Sequence, residues 1–374
     1  MSSDRPLDLE GLRRAFSYPR SNNGAITDLG QIILEKIAEN GPIPFQDYMA
    51  ECLYHPEHGY YARPEKTIIS KKGDFITSVS VGHVFGKTLA QRLHQLWQEN
   101  GRPHQCHLYE IGAHDGSLAQ DILAEVAKIG GSFQKAIRYR IIEPLEAQRK
   151  RLSSIANDQL EILSVPPEKP SEFGFLLANE VLDALPVPIL LHSNNSWHEV
   201  LVSEDNNILT WDTRPTQNGP EGTFSEGYVT EAAPDFHSFL SPLTTCFQNG
   251  LFIFIDYGLD EPSLYHPTRN IGTFRCYRDH STKCHPLDSP GQQDLTADVN
   301  FTAFEDTATI LGLTLSQILD QSRYLTHSAK NWLLTENPTP TEIQQFQTLI
   351  HPSQFGTRFY ALELAQGELK NSIF

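Results

Sequence analysis

Leu108-Tyr109-Glu110-Ile111-Gly112-Ala113-His114-Asp115-Gly116-Ser117-Leu118-Ala119-Gln120-Asp121-Ile122 is the stretch from which the fold is read. An apolar strand runs into an acid and two glycines, and a helical pattern starts at once. Gly112 and Gly116 permit a tight turn and a close approach of backbone to ligand, which a Cβ would obstruct. A phosphate site at such a turn wants bare N–H groups at the helix start. Here Glu110 closes the strand and Asp115 lies near the helix start, so carboxylates line the turn and suit a cation. The sulfonium and ammonium of S-adenosylmethionine match that charge, and a nucleotide pyrophosphate does not. The dinucleotide fingerprint G-x-G-x-x-G fails as well, because His114 and Ser117 replace two of its three glycines.

Outward from this turn, strands and helices alternate. Strands are expected at 107–111, 139–142, 173–178 and 250–255, with helices at 117–129 and 145–157. Short strands that are apolar on both faces, separated by helices, predict a parallel sheet covered on both sides. Sites in such sheets lie beyond the carboxyl ends of the strands, so Glu110, Glu143, Asn179, Glu180 and Asp256 are expected at one crevice. Upstream, the pattern predicts a helix at 28–40 with Ile32, Ile33, Leu34 and Ile37 inward and Gly41-Pro42 as its stop. A second helix starts at Pro44 or Phe45, and a long one covers 81–97. Downstream come a helix at 301–311 and strands at 313–319 and 358–364.

Two insertions break the alternation. Residues 188–235 read as a β-meander with polar turns at Ser193-Asn194-Asn195 and Asp205-Asn206-Asn207. Residues 259–297 are rich in His, Arg, Asp and Pro with little periodicity, as expected of a functional loop. The expected organisation is a flexible tail over 1–25, a helical region contributing to the cleft over 26–105, a core over 106–258 that carries the meander, a substrate lid over 259–297, and the end of the core over 298–374.

The 374 residues are 39% hydrophobic and 20% charged, the composition of an ordinary globular protein. A net charge of −17 argues against nucleic acid or an anionic membrane as partner. No apolar run approaches the roughly 20 residues of a bilayer span. Five scattered cysteines with no C-x-x-C suit a reducing compartment. Arg5, Arg13, Arg14 and Arg20 invite an organelle-targeting reading, but Asp4, Asp8 and Glu10 oppose it, so a cytoplasmic location is expected. Cys276, His280, Cys284 and His285 match no standard zinc spacing, and no metal is expected.

Glu143 follows the second strand some thirty residues after Glu110, where a carboxylate can accept both hydroxyls of an adenosyl ribose. Its plainer role is an acid at a helix start behind Pro144. In Asn179-Glu180-Val181-Leu182-Asp183, a strand ends in an amide and an acid, and a further acid stands three residues on. Methyl transfer from a sulfonium is an in-line displacement in which proximity dominates. Glu180 and Asp183 could pair with a guanidinium in a bidentate fork; the plainer alternative has Asn179 capping the next helix and Asp183 facing water. Thr77 or Ser78 is a natural N-cap after the Gly73-Asp74 turn.

With these segments in hand, the chain resembles the MidA-type family of class I S-adenosylmethionine-dependent methyltransferases, which includes the mitochondrial protein-arginine methyltransferase that assists respiratory complex I assembly. The resemblance runs from about 43 to 364. It rests on Tyr54-His-Pro-x-x-Gly-Tyr-Tyr61, Gly73-Asp-Phe-Ile-Thr-Ser78, Glu110-Ile-Gly112 with Gly116, Ala178-Asn-Glu-Val-Leu-Asp-Ala-Leu-Pro186, Asp256-Tyr-Gly258, and Pro290-Gly-Gln-Gln-Asp-Leu-Thr-Ala297 with Phe301. It implies an α/β, Rossmann-like methyltransferase core with a mostly parallel sheet, an N-terminal helical extension, and the meander and lid insertions. It further implies S-adenosyl-L-methionine contacts from Gly73, Asp74, Phe75, Thr77, Glu110, Gly112, Gly116, Glu143 and Asn179. Asn179, Glu180, Asp183 and His280 would serve the transfer, with His280 and Asp294 on the lid. The family usually has Pro-Glu where Val79-Ser80 stand, small residues or Arg at His114-Asp115, and Ser-Pro near Leu145. The expected function is methylation of an arginine on a protein partner, with a complex I subunit as a candidate. A non-catalytic S-adenosylmethionine-binding assembly factor and a small-molecule N-methyltransferase stand as alternatives, and no oligomeric state is specified.

Overall fold

The computed structural model describes residues 9–18, 27–63, 77–278 and 284–369. The chain divides into two compact units, one of residues 67–182, 236–258 and 304–374, the other of 1–66, 183–235 and 259–303. Residues 26–105 thus contribute to both.

In the first unit, β1 (Cys106–Ile111), β2 (Ile137–Ile142), β3 (Leu160–Leu163), β4 (Ser171–Asn179), β5 (Phe247–Leu259), β6 (Thr314–Asp320) and β7 (Phe359–Gln366) form the main path of a sheet. Their order is β6-β7-β5-β4-β1-β2-β3. β1 to β5 are parallel, and β7 runs antiparallel to both β5 and β6. The parallel sheet read from the apolar runs is therefore present. Phe175 to Ala178 on β4 and Leu251 to Ile255 on β5 are all buried, as strands covered on both faces must be.

Register fixes where the strand tips lie. Ile111 is opposite Ile142 on β2 and Ala178 on β4, and Asn179 is opposite Ile255 on β5. Gly112, Glu143, Asn179-Glu180 and Asp256 therefore lie at one level along one edge, with Asp256 still paired to Tyr360 on β7. Strand order reverses between β1 and β4, which opens a crevice at that edge.

The helix expected at 81–97 begins later, as α1 (Val84–Glu99). Before it, Ser78–Val81 makes a separate short helix. Gly82, at φ +143°, breaks the two apart. α2 (Ser117–Ile129) has the expected bounds, burying Leu118, Ala119, Ile122 and Val126 and ending at Gly130. α3 (Glu146–Leu152) stops short of the expected 157. There, Asn157 and Leu160 exchange backbone hydrogen bonds that turn the chain into β3. Helices α4 (Gln321–Ser328) and α5 (Pro340–Ile350) were not read from the sequence. The inner face of α4 carries Gln321 and Ser328 beside Tyr324 and Leu325, so polar residues interrupt the apolar stripe.

A buried ion pair lies inside this core. Arg92 on α1 donates from Nε and Nη2 to the two oxygens of Glu363 on β7, at 2.9 and 2.8 Å, and Tyr324 on α4 donates to the same carboxylate at 2.8 Å. A fully buried charge is tolerated only when paired in this way.

The second unit holds an antiparallel sheet. Ile189–Ser193, Ser196–Asp205 and Ile208–Thr216 are consecutive hairpin strands, and Tyr228–Glu231 returns beside the first. Both two-residue turns place asparagines at positive φ, +52° and +59° at Asn194-Asn195 and +52° and +63° at Asn206-Asn207. That is the geometry a tight hairpin requires, and the expected meander is present. The described residues of 259–297 include an antiparallel pairing of Arg275–Tyr277 with Asp294–Thr296. The buried carboxylate of Glu231 receives the Thr273 and Phe274 amides, which ties this segment to the sheet. Among the described residues no helix is long and apolar enough to cross a membrane.

Candidate active site

At the end of β1, Glu110 is buried and accepts a 2.7 Å hydrogen bond from the Tyr139 hydroxyl. Burial raises its carboxyl to about 7, against the lowering effect of Tyr139. Below that pH, a bound cation would drive the proton off. Affinity for S-adenosylhomocysteine, whose ammonium is cationic, should therefore rise from about pH 6 to about pH 8 and then level off. Calorimetric titration checks this, and affinity that fell with rising pH would contradict it. In the free protein the sign is opposite. A carboxyl raised from 4.5 to about 7 loses stability as pH climbs through that interval.

The turn after β1 is built differently from the sequence reading. Gly112 has φ +71° and Gly116 φ +76°. A Cβ on Gly112 would meet Val181 Cγ2 at 2.6 Å, and one on Gly116 would meet Ile155 Cδ1 at 2.1 Å. Both glycines make room for the protein's own side chains, a packing requirement beside the ligand approach expected at these positions. Gly116→Ala should lower stability by about 1–3 kcal/mol through strain and overpacking, seen as a lower Tm. An unchanged Tm would show that Ile155 moves aside freely.

Asp115 accepts from the Ser117 amide at 2.9 Å and lies 3.9 Å from His114 Nδ1. Burial pushes its carboxyl up, but His114 and Ser117 outweigh that and bring it to about 2. This permanent negative charge sits where a pyrophosphate would need free N–H groups.

At the tip of β2, Glu143 is buried, and its Oε1 accepts from the Leu145 amide at 2.7 Å. Burial raises its pKa, countered by that amide and by Arg149, Arg151 and His114. Arg149 donates to the Glu143 and Pro144 carbonyls. The helix-start role is thus real, and a ligand role would be added to it.

At the tip of β4, Glu180 is held at φ +53°, and its amide donates to the Ile255 carbonyl at 2.8 Å. Its Oε1 receives Asn179 Nδ2 at 3.2 Å and the Ser78 amide at 3.4 Å. Asn179 Oδ1 is buried with no hydrogen-bond partner among the described residues. Asn179 does not cap the following turn. That work falls to Asp256, which accepts the Val181 and Leu182 amides at 3.1 and 2.8 Å and the Tyr257 amide at 2.9 Å. Asp256 was read as one more tip facing the crevice; it is a buried clamp that shapes the Asn179-Glu180 corner.

Thr77 caps the Ser78–Val81 turn and shares a capping box with Ser80. Ser80 closes that box, its hydroxyl oxygen accepting from the Thr77 amide at 2.9 Å. Ser78 donates to Gln321, which in turn donates to the Leu349 carbonyl, so the segment is anchored to α4 and α5. Asp183 belongs to the second unit and is buried, contrary to the water-facing alternative. Its carbonyl accepts from the Ala297 amide, and its charge acts on Tyr61, whose hydroxyl donates to Asp294 at 2.9 Å. Gly73, Asp74, Phe75 and His280 lie outside the described residues.

A crevice at a switch point, edged by carboxylates and with its helix start closed to phosphate, defines an α/β enzyme for a cationic nucleoside. The buried Asn179 Oδ1 and His114 Nε2 atoms, unpartnered among the described residues, fit such a group as well. The chain belongs to the family described as "Putative S-adenosyl-L-methionine-dependent methyltransferase", which it matches over residues 88–319. It is 27% identical to the mitochondrial protein arginine methyltransferase NDUFAF7 homolog of Drosophila melanogaster, over 95% of this chain and 88% of that protein. It is likewise 27% identical to the mitochondrial protein arginine methyltransferase NDUFAF7 of Homo sapiens, over 89% and 82%. A crystal structure of a Burkholderia thailandensis protein bound to S-adenosylhomocysteine matches with a TM-score of 0.81 and 26% identity, covering 98% of this chain and 97% of that one. The MidA-type resemblance and the Rossmann-like fold are borne out. The protein is a methyltransferase, and S-adenosylmethionine is its methyl donor.

The cytoplasmic expectation is overturned, because the protein arginine methyltransferase relatives are mitochondrial proteins. It rested on Asp4, Asp8 and Glu10, and three acids in an arginine-bearing segment are too few to decide an address.

Proposed function

We propose that this methyltransferase modifies an arginine side chain on a protein partner. The observation that carries the reading is the Asn179-Glu180 corner, where a carboxylate and an amide oxygen are fixed by Asp256 and the Ile255 carbonyl at the edge where the strand tips gather. The names of the relatives support arginine as the acceptor. S-adenosylmethionine supplies an electrophilic methyl on a sulfonium. Glu110, Glu143, Asn179 and Thr77 would hold it, with Gly112 and Gly116 shaping the turn beneath.

A guanidinium presents five N–H donors in a planar fork. Glu180 accepts from it and aims one nitrogen at the methyl. Asn179 Oδ1 takes a further N–H, which satisfies an otherwise lone buried acceptor. With S-adenosylmethionine supplying the methyl, the Glu180 carboxylate would take the proton that leaves the accepting nitrogen. Incubation with a protein extract and methyl-labelled S-adenosylmethionine, followed by hydrolysis, tests the reading. The label should appear as methylarginine. Label in lysine or in small molecules would overturn it.

A further inference from the structure

We propose that His114 contacts the ribose of the nucleoside, its Nε2 receiving a hydroxyl beside Glu143. This rests on the reading of Glu143 as the ribose acid. Three observations carry it. His114 is held at φ +49°, a left-handed conformation uncommon for residues with a Cβ and free for glycine. A non-glycine outlier at a functional turn is a reason to look for a role in the side chain. Its ring is largely enclosed, with 12% of the side chain exposed, and Nε2 has no hydrogen-bond partner among the described residues. Buried polar nitrogens are rarely left so.

The third observation is placement. Ile111 and Ile142 are paired across β1 and β2, so the turn holding His114 and the tip holding Glu143 leave adjacent strands about 4.8 Å apart. The two side chains are near enough to interact electrostatically.

The chemistry divides between the two groups. The vicinal hydroxyls of a ribose offer two protons, and Glu143 already spends Oε1 on the Leu145 amide. Nδ1 of His114 lies toward Asp115, too far for a strong bond but close enough to favour the proton on Nδ1. That tautomer leaves a lone pair on Nε2, and a ribose hydroxyl is the donor that fits it.

Two ligands and three substitutions test this by calorimetry: S-adenosylhomocysteine, its analogue lacking both ribose hydroxyls, His114→Gly, His114→Asn and Glu143→Ala. His114→Gly suits the backbone and should fold with an equal or higher Tm. It should bind S-adenosylhomocysteine about fivefold more weakly, the value of one neutral hydrogen bond. It should bind the analogue as the wild type does. His114→Asn, which tolerates the left-handed backbone but is shorter, should show the same loss. Unchanged or tighter binding of S-adenosylhomocysteine by His114→Gly overturns the proposal, as does an equal loss with both ligands. If Glu143→Ala binds normally, the ribose site itself is refuted; if only Glu143→Ala weakens binding, His114 alone is removed from it.

Discussion

Glu180→Gln lowers kcat by about 100-fold to 10,000-fold while S-adenosylhomocysteine affinity stays within about twofold of wild type. Glutamine keeps the shape of the side chain, and its amide oxygen can still accept from Asn179 Nδ2 and the Ser78 amide as Glu180 does. The φ of +53° is equally unfavourable for both residues, so folding is a fair control. What glutamine lacks is negative charge and a place for the leaving proton. Both matter only once the acceptor nitrogen is in the cleft. Single-turnover transfer and calorimetry separate the two quantities. Full turnover would remove Glu180 from the transfer step, and a matching loss of affinity would make it a cofactor ligand.

Glu143→Ala weakens binding of S-adenosylhomocysteine by about 10-fold to 100-fold, the expected loss for hydroxyls bound to a buried carboxylate. The competing account confines Glu143 to the Leu145 amide, which it accepts at 2.7 Å. Under that account the substitution lowers Tm and leaves affinity alone. Glu143→Gln sharpens the comparison, because it can still receive the Leu145 amide while losing the charge. If both variants bind like wild type, the carboxylate is a helix-start residue and nothing more.

Much of the core could be read from residues because its signals are local. β1, β4 and β5 are apolar runs, and α2 is bounded by the glycine turn and by Gly130. The two asparagine pairs announced their hairpins for the same reason. The missed features are those set by distant partners. β3 is four residues, Leu-Glu-Ile-Leu, at the sheet edge, too short to show a period. The apolar face of α4 is interrupted by Gln321, whose partners are Ser78 and the Leu349 carbonyl.

The candidate site divides the same way. Acidic strand tips follow from the alternation of elements, and the register brings them to one edge. The need for glycine at Gly116 comes from Ile155, thirty-nine residues on and packed there only by the fold. The clamping role of Asp256 depends on amides from another strand's end. Nothing in the local sequence distinguishes that acid from Glu180. Left-handed backbone at His114 and Glu180 is equally invisible in the sequence, and both residues stand at the turns assigned to binding and transfer.

A crystal structure with S-adenosylhomocysteine addresses the central claim most directly. The nucleoside should lie across the ends of β1, β2 and β4, its ribose against Glu143 and its sulfur turned toward Asn179 and Glu180. A nucleoside seated on another surface, or lying with its sulfur away from that corner, would contradict the account.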